Sequence, residues 1–231
     1  FGKKEYDASE ILLRPEMPAH YYAMFNAPKY PRIQNDVFEP TEPKVTDVAY
    51  MTNSYALSTA NRSCLWNQRR PFVAYWGPAS SPRYLQVQFL HDDYDFSSAA
   101  IFSAQNKNSV LSGIDLFLYG GDKHIGLNPL KTGKFNAKDL RIRFRLGGIS
   151  SIQTLSLPKS QSDKFSFVLD GLRFNIQMFK ASFDGQTGYW QKGGDGKDSW
   201  IDYVIYAGAE KEFDLTRVKE AVWAFTFSMA K

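Results

Sequence analysis

The chain is poor in the residues that carry most enzyme chemistry. It has one cysteine, Cys64, and three histidines, His20, His91 and His124, in 231 residues. A single cysteine excludes an intrachain disulfide, and the neighbours Leu65 and Trp66 read Cys64 as a small buried hydrophobe. No serine sits in GxSxG, and Cys64 has no histidine nearby, so no nucleophilic triad can be argued. HExxH, CxxC, the GxxxxGK[ST] phosphate loop and the Rossmann glycine pattern are also missing. The sequence therefore implies no metal and no cofactor. No apolar run approaches the ~18 residues of a membrane span. There is no lysine-arginine run of the kind that binds nucleic acid, and the net charge is only +4, from 28 basic and 24 acidic residues.

What the chain does have is aromatic, alternating sequence. Aromatics make up 16% and hydrophobic residues 43%, with 18 Phe and 13 Tyr, enough to fill a large core. In Asp139-Leu-Arg-Ile-Arg-Phe-Arg-Leu146, four apolar residues alternate with Arg141, Arg143 and Arg145. A period of two places the apolar set on one strand face and the guanidinium row on the other. The same rhythm recurs in Leu172-Arg-Phe-Asn-Ile-Gln-Met178 and Trp223-Ala-Phe-Thr-Phe-Ser-Met229. Further strands are predicted over 45–52, 71–76, 83–90, 99–104, 110–119, 152–157, 165–169 and 200–206. Glycine turns separate them, and Asp170-Gly171 is a two-residue hairpin signal. The predicted fold is all-β, a large antiparallel β-sandwich. Its core should unite Leu140, Ile142, Phe144, Leu172, Phe174, Ile176, Trp223, Phe225 and Phe227.

Two regions break this pattern. Residues 1–43 hold six of the eleven prolines and read as an extended lead or linker before a sandwich domain over 44–231. The glycine-rich stretch 182–198, carrying Tyr189 and Trp190, reads as a mobile loop. One helical turn, capped by Asp214, is expected over 213–220. The chain opens at Phe1 rather than methionine, which implies a removed signal peptide or a longer protein.

Candidate ligand-binding residues fall in five places. Arg141, Arg143 and Arg145 would grip carboxylates or sulfates if their face lined a groove; if the face is merely exposed, they are a solubility device or pair with carboxylates on neighbouring strands. Trp66, Arg69 and Arg70 couple a flat ring to planar donors, a mix that suits a sugar, or else form a structural loop. His91 and Asp92 belong to His91-Asp-Asp-Tyr-Asp95, which reads as a polar site or as a capped strand end. His124 follows Gly120-Gly121, and Trp190 stands in the glycine-rich stretch. His91 and His124 are the only catalytic candidates, and both are weak.

From Met51-Thr-Asn-Ser-Tyr to Gln68-Arg-Arg-Pro71, through His91-Asp-Asp-Tyr-Asp-Phe-Ser-Ser98 and Gly121-Asp-Lys-His124 to Tyr203-Val-Ile-Tyr-Ala-Gly208, the chain resembles a known group. It is similar to the C-terminal β-supersandwich, galactose-mutarotase-like, of the heparinase II/III-like polysaccharide lyases. The likeness runs over roughly 45–229. It implies a secreted or periplasmic protein, a polysaccharide or oligosaccharide ligand, and a helical (α/α) toroid upstream as partner. In such proteins much of the catalytic machinery lies on the helical domain, so no catalytic residue carries over. Three functions stay open: a sugar-binding module without activity of its own; an enzyme, either a lyase fragment or a mutarotase-like epimerase; and a surface adhesion module.

Overall fold

The computed structural model describes residues 29–39, 44–62, 71–96, 99–116, 133–149, 164–183, 185 and 188–231. In chain order its strands are β1 (Arg32–Glu39), β2 (Val45–Met51), β3 (Tyr55–Ala60), β4 (Phe72–Trp76), β5 (Arg83–His91), β6 (Tyr94–Asp95), β7 (Ala99–Asn106) and β8 (Ser109–Leu116). There follow β9 (Lys134–Ala137), β10 (Leu140–Gly147), β11 (Lys164–Leu169), β12 (Leu172–Ala181), β13 (Tyr189–Gly193), β14 (Trp200–Gly208), β15 (Lys211–Asp214) and β16 (Val222–Ala230). A large sheet runs β1-β2-β3-β4-β5-β10-β14-β13, with β6 beside the end of β5. A five-stranded sheet runs β11-β12-β16-β8-β7, and β9 pairs with β15 in a ribbon. Every pairing between these strands is antiparallel. No helix among the described residues is long and apolar enough to cross a membrane.

The two sheets form a sandwich because each strand keeps its alternation in register with its neighbours. In β10, Leu140, Ile142, Phe144 and Leu146 all point inward and are fully buried. Rings from opposite sheets interlock: Phe144 meets Phe225 at 4.9 Å, Phe72 meets Phe227 at 5.1 Å and Trp76 meets Phe174 at 5.2 Å. The nine residues expected to share one core do share it. Asp170 and Gly171 have φ of 54° and 75°, the paired positive values of a type I′ hairpin joining β11 to β12. Asp170 also ties the sheets together. Its carboxylate accepts from Trp76 Nε1 at 2.8 Å and pairs with Arg83 at 2.8 Å.

Three readings of the sequence are refined or corrected. Within the proline-rich lead, Arg32–Glu39 is the edge strand β1, paired along β2. The stretch read as a mobile loop contains β13, whose Tyr189–Gly193 pairs with Val204–Trp200 of β14. Its glycines misled the reading, yet one of them serves the strand: a Cβ on Gly193 would meet the Trp200 ring at 2.5 Å. Around 213–220 there is no helical turn. Phe213 and Asp214 finish β15, and Asp214 instead caps a tight turn by accepting from the Thr216 amide and hydroxyl. The strand expected over 152–157 lies outside the described residues, as do Cys64 and Gly120-Gly121.

Candidate functional site

The outer faces of the two sheets differ in chemistry; that of the five-stranded sheet mixes polar side chains with exposed apolar ones such as Leu111 and Val168. On the large sheet the register sets Gln86 and Gln88 of β5, Arg141, Arg143 and Arg145 of β10, and Asp202 of β14 side by side. Asp202 is 0% exposed and lies between two arginines. Arg145 approaches it with both Nε and Nη2, at 2.7 and 2.8 Å, the two-pronged geometry that makes this pair strong. Arg143 reaches Asp202 at 3.0 Å through Nη1 and gives its other donors to Gln88 Oε1. Arg145 also lies 4.0 Å above the Trp200 ring. Arg141 pairs with Asp139 at 2.7 Å and Asp93 at 2.9 Å, and donates to Gln191 Oε1 at 3.1 Å.

Burial dominates the electrostatics of this face. It pulls the Arg143 guanidinium down to about 10, with Asp202 opposing and the neighbouring arginines adding to the fall. Burial also holds the Asp139 carboxyl above its ordinary range, against the pull of Arg141. The arginine row is therefore largely an internal ion-pair network, paired with the sheet's own carboxylates, although Arg141 Nε is buried without a hydrogen-bond partner among the described residues.

His91 and Asp92 serve a strand end. Asp92 and Asp93 have φ of 48° and 68°, a second type I′ hairpin, between β5 and β6. Asp92 Oδ1 accepts from the Lys138 and Asp139 amides at 2.8 and 2.9 Å, clipping the hairpin to the start of β10. His91 Nε2 is 2.8 Å from the Asn136 carbonyl, and its ring stacks on Phe96. Trp190 packs inward against Tyr203, 4.8 Å away, and against Phe167. Trp66, Arg69, Arg70 and His124 lie outside the described residues. No group of three or more potential metal ligands occurs among the described residues.

The sequence reading passed over the outer face of the five-stranded sheet. A hollow of about 750 Å³ crosses all five strands there. The register builds two rows across it. One is Lys164, Gln177, Thr226, Leu111 and Ala104; the other is Ser166, Asn175, Ser228, Ser109 and Asn106. The second row is made wholly of hydroxyls and amides, and at about 4.8 Å per strand it spans about 19 Å. Asn175 donates to Ser228 Oγ at 3.1 Å, which fixes the amide at the centre of the row. Central residues of both rows are half-buried and the flanking ones exposed. Among the described residues that line it, Lys164 is the single charged one, and they include no carboxylate, imidazole or thiol. The signal was present in the alternating strands: the polar partners of Phe174, Ile176, Phe225 and Phe227 are Asn175, Gln177, Thr226 and Ser228.

No known family model matches the chain, and no curated protein is significantly similar to it.

Proposed function

We propose that the chain is a carbohydrate-binding β-sandwich module, without catalysis of its own, that holds a neutral polysaccharide or oligosaccharide on the outer face of its five-stranded sheet. One observation carries this reading: the row of serine and asparagine side chains across β11, β12, β16, β8 and β7. A sugar presents hydroxyls that both donate and accept. Amides and hydroxyls answer both roles, whereas a carboxylate only accepts and a guanidinium only donates. The hollow has the volume of a ligand site. Its lining has no acid/base pair to transfer a proton, which favours binding over turnover.

The sequence resemblance to the heparinase II/III-like lyases, which no family model match backs, points to the same class. It adds a secreted or periplasmic setting and an upstream helical domain as the catalytic partner. On this reading the arginine row holds the sheet together, so acidic polymers are not the preferred ligand.

A glycan array carrying neutral and uronate oligosaccharides tests the proposal. Neutral glycans should be retained, with affinity indifferent to salt because no ion pair is screened. Gln177→Ala should weaken retention several-fold, as expected for one lost hydrogen bond of about 1 kcal/mol. Retention of uronates alone, falling steeply with salt, would refute it.

A further inference from the structure

The described residues lining the hollow offer no exposed flat aromatic surface, which a sugar site ordinarily has. Phe165 and Phe227 border it, but their rings are buried in the core. Aromatic surface is found at the end of the same strand. A second cavity, of about 440 Å³, is lined by Tyr30, Tyr50 and Tyr55 together with Thr52, Asn53 and Ser54 of the β2–β3 turn. Tyr50 and Tyr55 stand 6.3 Å apart with their planes tilted by 60°, forming an aromatic corner. That corner is held in place before any ligand arrives. The Tyr55 hydroxyl donates to the Met229 carbonyl at 2.9 Å. Thr52 Oγ1 accepts from the Ser54 and Tyr55 amides and donates to the Tyr55 carbonyl, locking the turn.

Both cavities have a lining residue near the end of β16. Ser228 lines the hollow and Ala230 lines the tyrosine cavity. They lie two residues apart on the same face of the strand, about 6.6 Å along it. One cavity provides hydrogen-bonding groups without a ring, and the other provides rings beside a small polar turn.

We infer that the tyrosine cavity is a second subsite of the glycan site, so that the module recognises an extended chain of several sugar units rather than a single terminal sugar. The inference rests on the proposed sugar reading of the hollow. Sugar units in the hollow bond to the Asn175 and Ser228 row, and units further along the chain stack on the tyrosine corner past Ala230. Stacking buries apolar ring faces and needs no charge, in keeping with a hollow whose described lining carries one charged residue, Lys164.

The test is an array that displays each neutral glycan as both disaccharide and hexasaccharide, probed with wild type, Tyr30→Ala, Tyr50→Ala and Asn175→Ala. Tyr30 is 39% exposed, so its removal does not threaten folding if Tyr50→Ala does. Wild type should bind the hexasaccharide about ten-fold more tightly than the disaccharide. Either tyrosine variant should remove that preference and leave disaccharide binding intact, while Asn175→Ala weakens both. If hexasaccharide and disaccharide bind equally, or the tyrosine variants keep the length preference, the second subsite is wrong and the hollow still stands. If no glycan binds at either length, the sugar reading itself falls, and the subsite with it.

Discussion

The outer faces of the two sheets make opposite use of the same strand geometry. On the large sheet, Arg141, Arg143 and Arg145 pair with Asp202, Asp139 and Asp93, and the face is charged and mostly taken up by its own ion pairs, with Asp202 at their buried centre. On the small sheet, Asn175, Gln177, Thr226 and Ser228 form a neutral floor open to solvent. The difference shows that a conspicuous row of charge is not by itself a binding site. A buried guanidinium must be paired, because leaving it unpaired costs several kcal/mol. A half-exposed amide can keep water until a ligand replaces it, so the quieter face is the one free to bind.

The sharpest way to break this comparison is to remove Asp202. Asp202→Ala leaves Arg143 and Arg145 buried without their shared partner and should cost about 3 to 5 kcal/mol in a denaturant titration. A cost under about 1 kcal/mol would mean that the arginines find water and that the face is not sealed. Phe144→Ala, on the inward side of the same strand, should cost a similar ~3 to 5 kcal/mol through cavity formation.

A smaller effect is expected from Arg145→Lys. Lysine keeps the charge but loses the fork onto Asp202 and the flat contact with Trp200, worth about 1 to 2 kcal/mol. On the other face, Asn175→Ala and Gln177→Ala should shift stability by no more than about 0.5 kcal/mol, as for ordinary surface positions.

The pH dependence sharpens the contrast further. The Asp92 carboxyl lies below its ordinary range. Burial raises it, but the amides of Asp139 and Lys138 and the nearby His91 outweigh that. Its contribution is present above the unfolded value of about 3.9 and is lost as pH falls through the lower folded value. Asp139 runs the other way: its raised pKa favours the fold while it is protonated, and that contribution is lost as pH rises through the folded value. Stability curves for Asp92→Asn and Asp139→Asn should therefore depart from wild type in opposite directions on the acid limb. Parallel curves would show that neither carboxyl is held as described.

The alternation in 139–146, 172–178 and 223–229 was enough to assign strand faces and the core, because burial on one side makes the period of two strict. The Asp170-Gly171 hairpin was legible because both positions require positive φ. What could not be read was register. Arg145 and Asp202 stand 57 positions apart, and nothing local says that β10 pairs with β14. Without that pairing the arginine row looks like a free basic surface. The hollow was missed for the same reason. Asn175, Ser228 and Ser109 are unremarkable singly and form a site only once β12, β16 and β8 are placed side by side. Strand β13 was hidden by the glycines around it.

The most direct test of the contrast is calorimetric titration of the best-retained neutral hexasaccharide into two variants, Arg145→Lys and the double variant Asn175→Ala with Gln177→Ala. The account predicts wild-type affinity for the arginine variant and a loss of about ten-fold or more, from two hydrogen bonds of about 1 kcal/mol each, for the amide variant. Unchanged binding by the amide variant, with binding lost in Arg145→Lys, would contradict it and return the ligand to the arginine face.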